Sequence, residues 1–122
     1  MAYTFTSDKH HKENFEPVDA EDVLVRIGAV PVSTWNYIGH DPKQFRHYGP
    51  MAQDFFAAFG EDRIGAVGTS TTINSGDMTS ILMIGVQALQ QRTKELKQEN
   101  DSLNARLDAL ERKLSATDAA RK

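Results

Sequence analysis

The sequence predicts an α+β chain in two unlike parts, a small N-terminal α+β unit followed by one long C-terminal helix in a parallel coiled coil. Three observations point there. Leucines recur every seven residues from Leu82 to Leu110, and every aromatic residue lies before residue 60. Charge divides at the same place, since residues 1–85 hold six Lys/Arg against eleven Asp/Glu and residues 86–122 hold eight against six. A chain of 122 residues suits one small domain plus one extended element.

The elements follow in order. Val18-Asp19-Ala20-Glu21-Asp22-Val23 reads as a helix start, with Asp19 as N-cap, acids in the first turn and Val18 stapled onto Val23. Val23, Leu24 and Ile27 would form its apolar face and Gly28 its stop. Residues 32–38, Val-Ser-Thr-Trp-Asn-Tyr-Ile, read as a strand, and Gly39-His40-Asp41-Pro42 as a turn. Phe45-Arg46-His47-Tyr48 returns as a second strand. Pro50 would then occupy the first position of a helix ending before Gly60, with Phe55 and Phe59 toward the core. Ile64 to Val67 is expected as a short strand, and Thr69 to Asp77 as a polar loop capping the long helix.

In that helix Leu82, Leu89, Leu96, Leu103 and Leu110 take heptad position d. Position a holds Thr79, Val86, Thr93, Asn100, Leu107 and Leu114. Gln87 to Lys113 contains no Gly or Pro, so propensity agrees with the periodicity. Such a stripe needs a partner, the alternative being a helix laid on its own globular domain. Asn100 and Thr93 at a set register, and a lone Asn at a is usual in two-stranded coils. In a parallel pairing Arg106 attracts Glu111, whereas Arg92 repels Lys97, so charge leaves the strand number open. The apolar core of the N-terminal unit is thin, which also points to assembly.

Several functions are excluded. A net charge of −3 argues against nucleic-acid binding by counterion release, and residues 64–91 lack the basic helix of a leucine-zipper transcription factor. The charge-free run Ile64 to Gly76 is broken by Gly, Thr and Ser and Ile81 to Gln91 is apolar only in part, so no membrane span is expected, and Met1-Ala2-Tyr3-Thr4 does not begin a signal peptide. Absence of cysteine removes disulfides, thiolate zinc sites and thiol nucleophiles. There is no phosphate loop and no Gly-x-Ser-x-Gly elbow. Adjacent His10 and His11 would point to opposite faces of an extended segment, so neither a metal nor a cofactor is expected. His47 reads as a structural residue. Trp35 and Tyr37, two apart on a strand, suit core packing better than a sugar platform.

Ser7-Asp8-Lys9-His10-His11-Lys12 remains. A serine hydroxyl becomes a nucleophile beside a base, and a lysine can be that base where burial or nearby positive charge lowers its pKa. Lys12 can fold back to Ser7 over five residues, but Ser-x4-Lys spacing alone is common by chance.

The wider order of motifs is more specific. Ser7-Asp8 with Lys12, Glu13-Asn14-Phe15, Pro17-Val18-Asp19, then Pro31-Val32-Ser33-Thr34-Trp35-Asn36-Tyr37 come first. His47-Tyr48-Gly49-Pro50-Met51-Ala52-Gln53-Asp54-Phe55 and the leucine heptads follow. Together, over about Ser7 to Leu114, they resemble the C-terminal intramolecular chaperone, auto-processing domain of endosialidase-type phage tailspikes and tail fibres. Related domains occur in bacterial tail-fibre-like surface proteins and in myelin regulatory factor proteins. Lys9-His10-His11 stands where the family usually has an Arg, and Tyr48 where an aliphatic residue is usual.

The resemblance implies a homotrimer that registers an upstream fibrous part of the same polypeptide and then cuts itself free at Thr6–Ser7. Ser7 would be the nucleophile, Lys12 its general base and Asp8 a supporting residue, with no cofactor, nucleic acid or membrane involved. Non-cleaving trimerisation module and coiled-coil adaptor are the alternatives. The implied organisation is an upstream segment 1–6, a chaperone domain 7–78, a coil 79–115 and a disordered tail 116–122. With six residues before Ser7, an excised C-terminal piece or a stand-alone relative is expected, belonging to a phage tail or a bacterial surface fibre.

Overall fold

The structure, a computed structural model, describes residues 4–121. Residues 1–3 of the expected upstream segment and Lys122 of the expected tail lie outside the described residues.

Helix α1 spans Ala20–Ala29, and the Asp19 carboxylate accepts from the Asp22 amide at 3.1 Å, the expected N-cap. Gly28 is not its stop. Gly28 does not take a positive φ, and the helix runs one residue past it to end where Val30 precedes Pro31, a position at which the α conformation is disfavoured.

Strands β1 (Ser33–Trp35) and β2 (His47–Gly49) pair antiparallel, with Ser33 opposite Gly49, Thr34 opposite Tyr48 and Trp35 opposite His47. Both are shorter than their sequence patterns suggest, because local turns claim the flanking residues. His40 donates to the Tyr37 carbonyl at 3.0 Å, Gly39 adopts φ 91°, and Phe45 donates to the Asp41 carbonyl at 3.0 Å. Arg46 braces the connection by donating to Asn36 Oδ1 and Thr34 Oγ1, both at 2.9 Å.

Helix α2 covers Ala52–Phe59. Pro50 is not at its first position, because Met51 is still extended (φ −84°, ψ 144°) and serves as N-cap. Gly60 closes the helix as expected, donating to the Phe56 carbonyl at 2.7 Å, and Phe55 meets Phe59 at 5.3 Å between ring centroids.

The strand expected over Ile64 to Val67 does not form; only an isolated bridge joins Glu61 to Ala66. The Asp62 carboxylate accepts from the Ile64 and Gly65 amides at 2.8 Å each, which satisfies the backbone locally and competes with pairing. The Gly65 and then the Ile64 amide hold the Asp62 carboxyl below its ordinary value. Asn74 Oδ1 accepts from the Asp77 amide at 3.0 Å and opens helix α3, Ser75–Arg121. This helix starts ahead of the heptads and continues through residues 116–121, where the sequence pattern suggested a disordered tail. Ala116, Ala119 and Ala120 are strong helix formers there, with no Gly or Pro among them.

The core lies between α1 and the first turns of α3. Val23 and Ala88 are the buried apolar side chains among the described residues, and Gly85 is buried with them. A Cβ on Gly85 would come within 2.8 Å of Ile27 Cδ1, so the missing side chain is what admits α1. The long helix therefore rests on its own domain over its first turns, through Met78, Ile81, Gly85 and Ala88, and is exposed beyond them. Arg26 ties α2 to α1, donating to Asp22 Oδ2 at 2.9 Å within its own helix and to the Ala58 carbonyl of α2 at 2.7 Å.

Candidate functional site

The N-terminal segment is not simply extended. Lys9–His11 forms a single 3-10 turn whose N-cap is Asp8. One Asp8 oxygen accepts from the His10 amide at 2.9 Å and meets His10 Nδ1 at 2.8 Å, while the Asp8 carbonyl accepts from His11 at 3.0 Å. Adjacent His10 and His11 thus sit in a tight turn rather than on opposite faces of an extended chain. The His10 amide first, and its ring second, hold the Asp8 carboxyl below the ordinary carboxylate range.

The turn reverses the chain and brings its two ends together. Lys12 Nζ donates to Ser7 Oγ at 2.6 Å. Asp8 bonds His10 rather than Lys12 and shapes the turn that carries the lysine. Thr6, Ser7, Asp8 and Lys12 are all exposed in the single chain. Chemically, this is a hydroxyl beside an amine, one residue after the peptide bond whose carbonyl the hydroxyl could reach. Asn14, at φ 55°, then turns the chain toward α1.

A second candidate surface runs along α3. Leu82, Val86, Leu89, Leu96, Leu103, Leu107, Leu110 and Leu114 are each between 50% and 65% exposed, and Thr79, Thr93 and Asn100 are exposed with them. Thr93 Oγ1 donates to the Leu89 carbonyl at 2.8 Å, so its hydroxyl is satisfied within the helix. The face that α1 covers is a different one. Met78, Ile81, Gly85 and Ala88 fall at g and c positions, beside the a/d stripe rather than on it. An apolar recess bounded by Ile27, Val32, Phe55, Ile81 and Leu82 opens where the two faces meet.

Leucine counting overlooks the second stripe, which small residues at g and c signal. It also overlooks the ion pair at its end, where Arg92 Nη2 donates to Glu21 Oε2 at 2.6 Å. In the hairpin, Trp35 stacks on His47 at 4.8 Å and meets Tyr37 edge-on at 4.9 Å. Among the described residues, no group of three or more His, Asp or Glu is placed to hold a metal ion, and no helix is long and apolar enough to cross a membrane.

No curated protein matches the chain. A family model does, described as chaperone of endosialidase, over residues 7–62. The matched stretch opens at Ser7 and takes in Lys12, α1, the hairpin and α2, leaving α3 outside it. Over this stretch the chain matches the chaperone of endosialidase family, which supports a chaperone domain here.

Proposed function

We propose that this chain is an intramolecular chaperone that assembles as a parallel homotrimer, registers an upstream fibrous segment of its own polypeptide, and releases itself by cleavage between Thr6 and Ser7. The family match supports the chaperone role and association with an upstream fibrous protein. The observation that carries the cleavage is the contact of Lys12 Nζ with Ser7 Oγ at 2.6 Å, across a turn capped by Asp8.

In this reading Ser7 Oγ attacks the Thr6 carbonyl carbon while neutral Lys12 takes the hydroxyl proton. The tetrahedral oxyanion collapses with rupture of the Thr6–Ser7 C–N bond, and the Ser7 nitrogen leaves as an amine carrying a proton. The acyl group is then an ester on Ser7 Oγ. Water hydrolyses it to a carboxylate at Thr6 and the free hydroxyl of Ser7. Nucleophile and carbonyl belong to adjacent residues, so proximity supplies a large share of the rate. A lysine can accept the proton once it is neutral, which burial favours. Assembly would supply that burial, because the pair is exposed in one chain alone.

The same exposure favours a second reading, a trimerising chaperone without cleavage. Intact mass separates the two. The chain is joined to a few dozen upstream residues of a fibrous protein and compared with its Ser7→Ala variant. A fragment beginning at Ser7, formed by the wild type alone, is the expected result. Full-length mass in both would leave the non-cleaving module.

A further inference from the structure

The seam register contains one electrostatic conflict. In a parallel coil a g residue faces the e residue five positions on in the neighbouring chain. Arg106 then meets Glu111 and Lys113 meets Asp118, both attractive, whereas Arg92 meets Lys97. Like charges at such positions weaken assembly.

The conflict falls where the chain's own α1 ends its contact with α3. Glu21 lies in the first turn of α1, and its carboxylate receives three hydrogen bonds from Arg92, two from Nε at 2.9 and 3.1 Å and one from Nη2 at 2.6 Å. This is a bidentate arrangement between residues 71 apart in sequence. The pair is not sealed, since the Arg92 and Glu21 side chains remain 46% and 52% exposed. Arg92 lies one turn beyond Ala88, the last buried position of α3, so Glu21 is held at the flank of the seam. The hydrogen bonds from Arg92 also hold the Glu21 carboxyl below its ordinary value. Lys97 has a weaker partner of its own, Asp101 at 3.3 Å, in a highly exposed pair.

We infer that Glu21 couples folding of the N-terminal unit to coil assembly, by neutralising Arg92 in its own chain and offering its carboxylate to Lys97 of a second copy. The inference rests on the coiled-coil reading proposed above, and the occupant of the surface is another copy of this chain. Before α1 docks, Arg92 and Lys97 of neighbouring copies repel; after docking, a carboxylate stands between them. The coil then assembles at full strength only in chains whose N-terminal unit has folded. A chaperone that registers a client gains from this order, because coils do not lock around unfolded domains.

The test is a double-mutant cycle in the full chain, with association constants from sedimentation equilibrium at low salt and near 1 M salt. Glu21→Gln is expected to weaken association on the order of tenfold at low salt, from a few exposed ionic contacts per assembly. Lys97→Gln should restore most of that loss in the Glu21→Gln background while changing the wild type little. Near 1 M salt, where the Debye length is about 3 Å, the differences should largely vanish. If Glu21→Gln acts only by loosening α1 within its own chain, Lys97→Gln gives no rescue and the inference is overturned. If the wild type assembles and the two substitutions are additive, the inference falls while the coil stands. A wild type that stays monomeric at all concentrations removes both.

Discussion

At the scale of single residues, Lys12 and Ser7 show how little sequence is needed to bring an amine onto a hydroxyl. Asp8 supplies the device: by capping the turn over Lys9–His11 it converts a five-residue separation into a 2.6 Å contact. The capping role is distinct from the acid–base role proposed for Lys12, since Asp8 engages His10. Lys12→Arg discriminates sharply between structural and chemical uses of the lysine. Arginine keeps a cation able to donate to Ser7 Oγ, yet it stays protonated and cannot take the hydroxyl proton. Self-cleavage should fall at least about a hundredfold, the usual scale for loss of a general base, with thermal stability and mass in solution unchanged. Cleavage at the normal rate with arginine in place would remove Lys12 from the chemistry. The spacing of Ser7 and Lys12 was visible in sequence. The turn was not, because capping by Asp8 competes with the extended conformation that Lys-His-His otherwise suggests.

At the scale of elements, α3 has two working faces, and only one of them is written in leucine. The a/d stripe is legible because its period is regular over many turns. The docking face depends on Gly85 and Ala88, residues whose contribution is the space they leave, and no periodic hydrophobicity marks it. Gly85→Leu should therefore push α1 off the helix. Overpacking of this kind typically costs about 1–3 kcal/mol, which for a small domain lowers Tm by roughly 5–15 °C. Gly85→Ala should be far milder, because the atom it meets is the movable tip of Ile27 and alanine gains about 1 kcal/mol of helix propensity. Equal destabilisation by both substitutions, measured by thermal unfolding, would show that the close approach of α1 is not what Gly85 provides. The elements misjudged from sequence were all decided locally. The Asp62 carboxylate closes a turn where Ile64 to Val67 reads as a strand. The Asp41 carboxylate, accepting from the Lys43 amide, stabilises the turn whose backbone also takes in the Phe45 amide, where residues 45–48 read as a strand. Short polar side chains near the backbone outweigh β propensity when the run is only a few residues long.

At the scale of the whole molecule, a single chain leaves its largest apolar stripe in water. Among the described residues the buried apolar side chains are Val23 and Ala88, whereas eight apolar residues of the a/d stripe are half exposed or more. Burying half-exposed leucines recovers on the order of 1 kcal/mol each, so a stripe of this length favours association strongly. Asn100 in the middle of the stripe lowers that gain and penalises misaligned pairings, in which its amide would face leucine. If association also buries the Ser7–Lys12 pair, assembly and cleavage become one event, and cutting reports that the chains are in register. Leu96→Asp and Leu103→Asp test this coupling, because both lie on α3 beyond Ala88, its last buried position, and are half exposed or more. Each places a carboxylate in the seam and should yield a monomer by sedimentation, with the N-terminal unit still folded by circular dichroism. The monomer should not cleave between Thr6 and Ser7 even on prolonged incubation. A variant shown to be monomeric that cuts at the wild-type rate would separate chemistry from assembly. Lys12 would then have to reach its neutral state within one chain, at a site that the structure leaves open to water.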